Sequence, residues 1–255
     1  MKYVKVLRKD TPVWGVLEGE MVRTLRTPPF EGLNYDGESL SLADCTLLAP
    51  CEATKIVCVG KNYYDHIAEL KSMADAASTP DRPTLFLKGL NALNRPEGTL
   101  HAPKFVNRLD YEGELAVVMK RRAKDVPEDA ALDYVLGYTC FNDVTARDIQ
   151  TADGQWTRGK SMDGFAPLGP VVTDEVDPDH LEITTRLNGK IVQHSNTDLF
   201  ITNVRQMIAF ITASMTLEPG DVIATGTPAG VGPMVPGDVV EVELSGIGVL
   251  RNTVI

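Results

Sequence analysis

Residues 109–120 read LDYEGELAVVMK, and the reading of this stretch decides the fold. Its uninterrupted apolar run, Leu115 to Met119, reads as a strand. Glu112 and Glu114 stand two residues apart, so in one strand their side chains leave by the same face, with Asp110 beside them. Adjacent carboxylates repel one another unless a cation answers them. Which cation does so is the question this sequence poses.

The 255-residue chain is long enough for one large domain, or a small one plus a medium one, with a sizeable core. Hydrophobic residues make up 43% and charged residues 24%, as in soluble globular proteins. A net charge of −10 without a dense Lys/Arg cluster argues against nucleic acid or an anionic membrane as the main partner. An anionic ligand must then be received by local cations against the overall field. Cys45, Cys51, Cys58 and Cys140 form no CxxC pair and have no histidine at zinc-finger spacing. Reduced, mostly buried thiols and a cytoplasmic location are therefore expected. The opening MKYVKVLRKD has no long apolar run, so no signal peptide is expected. LFITNVRQMIAFITASMTL (199–217) is interrupted by Asn203, Arg205 and Gln206, too polar to span a bilayer, and reads as a core helix.

Around these segments strand patterns dominate. VKVLRKD, PVWGVLEGE and MVRTL are strand–turn–strand candidates within residues 1–50, and KIVCVG (55–60) and PTLFLKG (83–89) are further strands. NYYDHIAELKSM (62–73) has helical spacing, with Tyr63, Ile67 and Leu70 on one face. ADAASTPDRP (74–83) reads as a mobile loop, and a helix is expected after Pro127 in PEDAALDYVLGY. RLNGKIVQ (186–193) is a hairpin, because Asn188-Gly189 favours a type I′ turn. With about three helices among many strands, the expected class is α+β with a β-rich core.

Four clusters carry chemistry. Glu112, Glu114 and Asp143 could hold a hard divalent cation, which prefers carboxylate oxygens and leaves positions for water and substrate. Spacing alone favours a solvated strand face, with Asp143 capping a helix at VTARD. His66 and Glu69 stand three apart on one helical turn, where a carboxylate can orient an imidazole for proton transfer or make a plain surface pair. Lys160 and Asp163 lie in RGKSMDGFAP, a Gly-flanked stretch suited to a functional loop. GTPAGVG (226–232) could offer backbone N–H groups and the Thr227 hydroxyl to an anion, or be a tight turn only. It is not a phosphate-binding Walker loop, since no Gly-Lys-Ser/Thr follows.

In order along the chain, GKNYYDHIAEL, FLKGLNAL, DYEGELAVVM, GYTCFNDVTARDIQ, GKSMDGFAPLGP, LNGKIVQHSNT, PGDVIATGTPAGVG and PGDVVEVEL resemble the fumarylacetoacetate hydrolase family. Each motif is weak alone; the succession is specific and spans about residues 50–255. The resemblance implies a mixed β-roll catalytic core over 51–255, a small N-terminal β domain over 1–50, and a homodimer. It implies an Mg²⁺ or Mn²⁺ site formed by Glu112, Glu114 and Asp143, and a catalytic dyad of His66 and Glu69 on a lid over about residues 62–80. Lys160 matches the active-site lysine, Thr227 the substrate-contacting threonine, and Arg147 and Gln150 polar residues near the site. Two departures stand out. KGLNAL lacks the Pro and Ser that follow the lysine in many members, so Lys88 and Asn91 receive no substrate role. Lys61 stands where arginine is common, an exchange expected to be harmless, though the two are not equivalent at a bidentate contact.

The implied substrates are small 2-oxo acids and their enols. The metal would act as Lewis acid and template, Lys160 would add charge at the developing oxyanion, His66 would move the proton, and the lid would exclude water. Chain length and the EPGDVIATGTPAGV segment point first to isomerase/decarboxylase action on hydroxymuconate-type diacids in aromatic catabolism. Acylpyruvate hydrolysis and oxaloacetate decarboxylation are the alternatives. A non-catalytic, metal-stabilised protein that binds a small acid is the reading from another class.

Overall fold

A computed structural model describes residues 1–72 and 81–255. Most of the chain is strand. The largest sheet runs, in spatial order, Tyr35–Ser41, Met21–Leu25, Thr11–Glu18, Lys2–Arg8, Ala166–Thr173, Val135–Asn142, Gly113–Met119, Val222–Ala224, Ile56–Gly60 and Thr84–Lys88. Most neighbours are antiparallel, but Val222–Ala224 and Ile56–Gly60 run parallel. The first strands do not close on themselves: Lys2–Arg8 pairs with Ala166–Thr173 through Tyr3 opposite Val172. Trp14, Val16 and Leu25 share a core cluster with Val118, Leu136 and Val172, so the N-terminal strands are welded to the rest by apolar contact as well.

The apolar runs continue without alternation because the centre of the sheet is covered on both faces. Val57, Val59, Leu115 and Val117 join one cluster, with Met207, Ile208 and Ile211 of the helix Val204–Ser214. Ile56, Cys58 and Ala116 point the other way, into a cluster with Phe141, Phe165 and Leu168. A five-stranded sheet (Lys190–Asn196, Glu182–Leu187, Val239–Leu244, Gly248–Val254, Thr99–Leu100) and a three-stranded one (Thr145–Ala146, Leu109–Tyr111, Gly232–Met234) complete the sheet content.

Several boundaries differ from the sequence expectation. The helix expected over 199–217 covers Val204–Ser214. Asn203 and Gln206 form a reciprocal capping box there, and that fixes the start. The segment after Pro127 is a tight 3₁₀ helix, Glu128–Tyr134, cut short because Val135 opens the next strand. The Asn188-Gly189 hairpin is present, with both residues at positive φ, 53° and 78°. The helix after KIVCVG spans Tyr64–Ser72, with Tyr63 and Ile67 buried. Residues 74–80 of the expected mobile loop and 73–80 of the expected lid lie outside the described residues, as does the side chain of Leu70. None of the described helices is long and apolar enough to cross a membrane, and the four cysteines are free.

Candidate active site

Residues 109–120 are two strands, not one. Leu109–Tyr111 belongs to the three-stranded sheet and Gly113–Met119 to the large one, and Glu112 occupies the joint between them. The joint is fixed by side chains that take its backbone groups. The N–H of Glu112 donates to Asn142 Oδ1 at 3.0 Å, and that of Gly113 to Gln193 Oε1 at 3.0 Å. A Cβ on Gly113 would lie 2.1 Å from Thr185 Oγ1, so the crossing requires glycine. Directly across, Gly113 pairs with Asn142 at the end of Val135–Asn142, and the next residue, Asp143, donates its N–H to Glu112 O at 2.8 Å. The helix-cap alternative for Asp143 is thereby excluded: the following helix, Arg147–Asp153, starts after Ala146.

This turn of chain brings Glu112, Glu114 and Asp143 together. Each offers a carboxylate oxygen within 4.8 Å of the others', and each side chain is buried, at 4%, 2% and 1% exposure. Asp110 does not join them. One of its carboxylate oxygens accepts from Arg108 at 2.8 Å and the other from Arg147 at 2.9 Å, which anchors Arg147 from below.

Part of the answer to the crowded anions is the protein's own cations. Lys160 Nζ bridges Glu112 Oε2 at 2.7 Å and Asp143 Oδ2 at 2.6 Å. Lys88 Nζ donates to Asp143 Oδ1 at 2.5 Å and to Val144 O at 3.0 Å. The Arg147 guanidinium also pairs with Glu112. Burial alone would raise Glu112, but the charges of Lys160 and then Arg147 outweigh it and hold this carboxyl well below the usual range. Burial opposes the Lys160 charge in turn, yet Asp143 and Glu112 prevail and raise its pKa, so it stays an ammonium. Lys88 is drawn below the ordinary lysine value, chiefly by burial, with Lys160 adding to it.

Glu114 is different. Among the described residues its only hydrogen-bond donor is the backbone N–H of Gly226, at 2.8 Å, and no lysine or arginine pairs with it. Burial, then the charges of Asp143 and Glu112, push its carboxyl well above the usual range. Three converging hard oxygens, one of them on a carboxylate lacking a counter-cation, suit a divalent metal ion. The donor set therefore fits such an ion.

Of the remaining expected residues, His66, Arg147, Gln150, Lys160 and Thr227 line the same cleft, and Glu69 stands behind His66. His66 Nδ1 lies 3.2 Å from Glu69 Oε2, and Glu69 is held by the N–H of Gly230 at 3.1–3.2 Å. Gln150 Oε1 accepts from Arg147 Nη1 at 2.7 Å. Thr227 donates its hydroxyl to Gly113 O at 2.9 Å and accepts from Gln193 Nε2 at 2.8 Å, so it can accept from a ligand but not donate to it. The Gly-rich turn thus spends its first N–H on the protein's own Glu114. Lys160 sits in one helical turn, Thr157–Lys160, not in a loose loop, and Asp163 turns away to accept from Asn91 at 2.7 Å.

Sequence reasoning left Lys88, Gln193, Phe86 and Trp156 without roles. Lys88 orients Asp143, and Gln193 ties Gly113 to the Thr227 turn. Phe86 lies 5.3 Å below Lys160 Nζ and packs edge-on to Trp156 at 5.1 Å. The lone lysine ending the apolar run TLFLK, and its place in the motif FLKGLNAL, were the available signals for Lys88.

A family model described as fumarylacetoacetate (FAA) hydrolase C-terminal matches residues 55–255, and one described as Rv2993c-like, N-terminal, matches residues 1–50. The crystal structure of a 2-hydroxyhepta-2,4-diene-1,7-dioate isomerase from Mycobacterium marinum superposes with a TM-score of 0.92 at 43% identity, covering 100% of this chain and 98% of that one. That of a 5-carboxymethyl-2-hydroxymuconate delta-isomerase from Mycobacterium smegmatis gives 0.93 at 40% identity, over 100% and 99%. A mitochondrial oxaloacetate tautomerase of Xenopus laevis is 40% identical over 88% of this chain and 72% of its own.

Proposed function

The chain belongs to the fumarylacetoacetate hydrolase family, and from that premise we propose that it is a divalent-metal-dependent enzyme that isomerises or decarboxylates hydroxymuconate-type 2-oxo diacids. The observation that carries the reading is the convergence of Glu112, Glu114 and Asp143 in one cleft with Lys160 and the His66–Glu69 pair. Glu112, Glu114 and Asp143 would hold the ion, Mg²⁺ or Mn²⁺. When bound, it would supply Lewis acidity at the substrate's carboxylate and 2-oxo oxygens.

The protein's own groups account for the rest. Lys160 remains an ammonium and so serves as a fixed positive charge for a developing enolate oxygen, not as a base. Glu69 beside Nδ1 favours the His66 tautomer with its proton there, which leaves Nε2 as the acceptor. His66 can then take a proton from the carbon next to the 2-oxo group and return it further along a conjugated chain, which is isomerisation. In decarboxylation CO₂ leaves, the electrons of the broken C–C bond pass to the 2-oxo oxygen, and a proton that His66 Nε2 takes from water and passes on quenches the resulting enolate at carbon. Arg147, locked by Asp110 and Glu112, and the Gln150 amide would orient the substrate carboxylate. Oxaloacetate tautomerisation is the second reading, favoured by the Xenopus relative; it uses the same proton transfer over a shorter path. A pure binder would need no histidine–carboxylate pair opening onto the acids.

The test is turnover of a panel of hydroxymuconate analogues, acylpyruvates and oxaloacetate, with and without chelator. Diacid turnover that chelation abolishes and added Mg²⁺ or Mn²⁺ restores supports the reading; turnover indifferent to chelation, or none, opposes it. We take the working form to be a homodimer, which light scattering would report as twice the monomer mass.

A further inference from the structure

We propose that Lys61 is a specificity-determining residue that receives the second carboxylate of a diacid substrate, at the far end of an aromatic strip leading from Lys160. This rests on the 2-oxo acid reading above and deepens it. Lys61 lines the cleft directly after the strand Ile56–Gly60. The other cleft cations are paired with protein acids and serve the 2-oxo acid end of the substrate: Lys160 with Glu112 and Asp143, Arg147 with Asp110 and Glu112. Lys61 has no acidic partner among the described residues. A cation with no acidic partner among the described residues, at the wall of a cleft in a chain of net charge −10, is a receptor for an anionic group.

The backbone supports the same conclusion. Lys61 has φ 61°, in the left-handed region that long side chains rarely adopt. Such outliers persist where surrounding structure imposes them, and they gather at ligand sites. The residue before it, Gly60, lies against the indole: a Cβ there would stand 2.7 Å from Trp156 Cζ3. Trp156 packs on Phe86, and Phe86 lies beneath Lys160. A ligand with one acid group at the Lys160 end and another at Lys61 would run its chain along these rings, and a flat, unsaturated chain suits such a surface. The substrate class so defined is a 2-oxo or 2-hydroxydienoic acid with a distal carboxylate.

The test uses two inert probes of equal length, N-(3-carboxypropyl)oxamate, a diacid, and N-butyloxamate, a monoacid. Their binding to the Mg²⁺-loaded protein is followed by calorimetry. The wild type is expected to favour the diacid by about 10- to 100-fold. Lys61→Gly, whose backbone suits a positive φ and so preserves folding, should erase that preference, while Lys61→Arg should retain it. Equal binding of both probes by the wild type, binding of neither, or a preference surviving in Lys61→Gly would overturn the assignment. If the preference holds while no member of the substrate panel is turned over, the proposed activity fails and the diacid subsite stands.

Discussion

The backbone N–H of Gly226 meets the Glu114 carboxylate at 2.8 Å. This contact ties the Gly-rich turn to the acid that pairs with no lysine or arginine among the described residues. Gly226 holds φ 95°, and a Cβ there would stand 2.8 Å from Asn62 Cβ and 2.9 Å from Val59 O. Gly226→Ala is therefore expected to lose about 1–3 kcal/mol of stability in chemical denaturation and to weaken metal binding, because the Glu114 anchor shifts. Wild-type stability in this variant would show that the turn has slack the contacts do not suggest.

His66→Ala should reduce turnover by about 10²-fold or more while leaving Mn²⁺ affinity near that of the wild type, since the imidazole moves a proton and is not among the three acids. Glu69→Gln should cost less, because Nδ1 keeps a hydrogen-bond acceptor. Loss of metal affinity in His66→Ala would reassign the imidazole to the metal site.

Lys160→Met leaves Glu112 with Arg147 and Asp143 with Lys88, each short of one partner. The metal-free variant should be less stable by up to about 3 kcal/mol, as when a buried ion pair loses one member. Added Mg²⁺ should recover part of the loss through binding to the native state alone. Thermal unfolding with and without Mg²⁺ measures both, and an Mg²⁺-indifferent melting temperature would count against a metal between those acids.

Asp221 gives the pH dependence. Burial acts to raise its carboxyl, but the Glu218 N–H, the Lys55 ammonium and the Thr54 hydroxyl and N–H outweigh it, and its folded-state pKa lies below the ordinary 3.8. A depressed carboxyl stabilises the fold at pH values above its unfolded pKa and ceases to do so as pH falls through the folded one. Acid denaturation should therefore steepen below about pH 4, and Asp221→Asn should flatten that limb while lowering stability at neutral pH. Parallel acid limbs for the two proteins would contradict this.

What could be read in advance follows from how local each signal is. The Asn188-Gly189 turn, the helix around Met207 and the strand KIVCVG are set by neighbouring residues, and all were legible. The grouping of Glu112, Glu114 and Asp143 was legible only through the family resemblance, because spacing alone left a solvated strand face and a helix cap open. The break at Glu112 was not: it depends on Asn142 and Gln193, 30 and 80 residues away, taking the backbone groups of Glu112 and Gly113. Lys88 stayed hidden for the same reason, its partner Asp143 being 55 residues on. The commitment of the Thr227 hydroxyl to Gly113 O spans 114 residues and leaves no local trace.

The central claim is that an ion with two positive charges lies among residues 112, 114 and 143, and titration of Mn²⁺ into the wild type and Glu114→Gln tests it most directly. Glutamine keeps the shape of the side chain and can still accept from Gly226. The account predicts about one Mn²⁺ per chain for the wild type and an affinity at least about 10-fold weaker for the variant. Equal affinity in the two proteins, or no Mn²⁺ bound by the wild type, would contradict it.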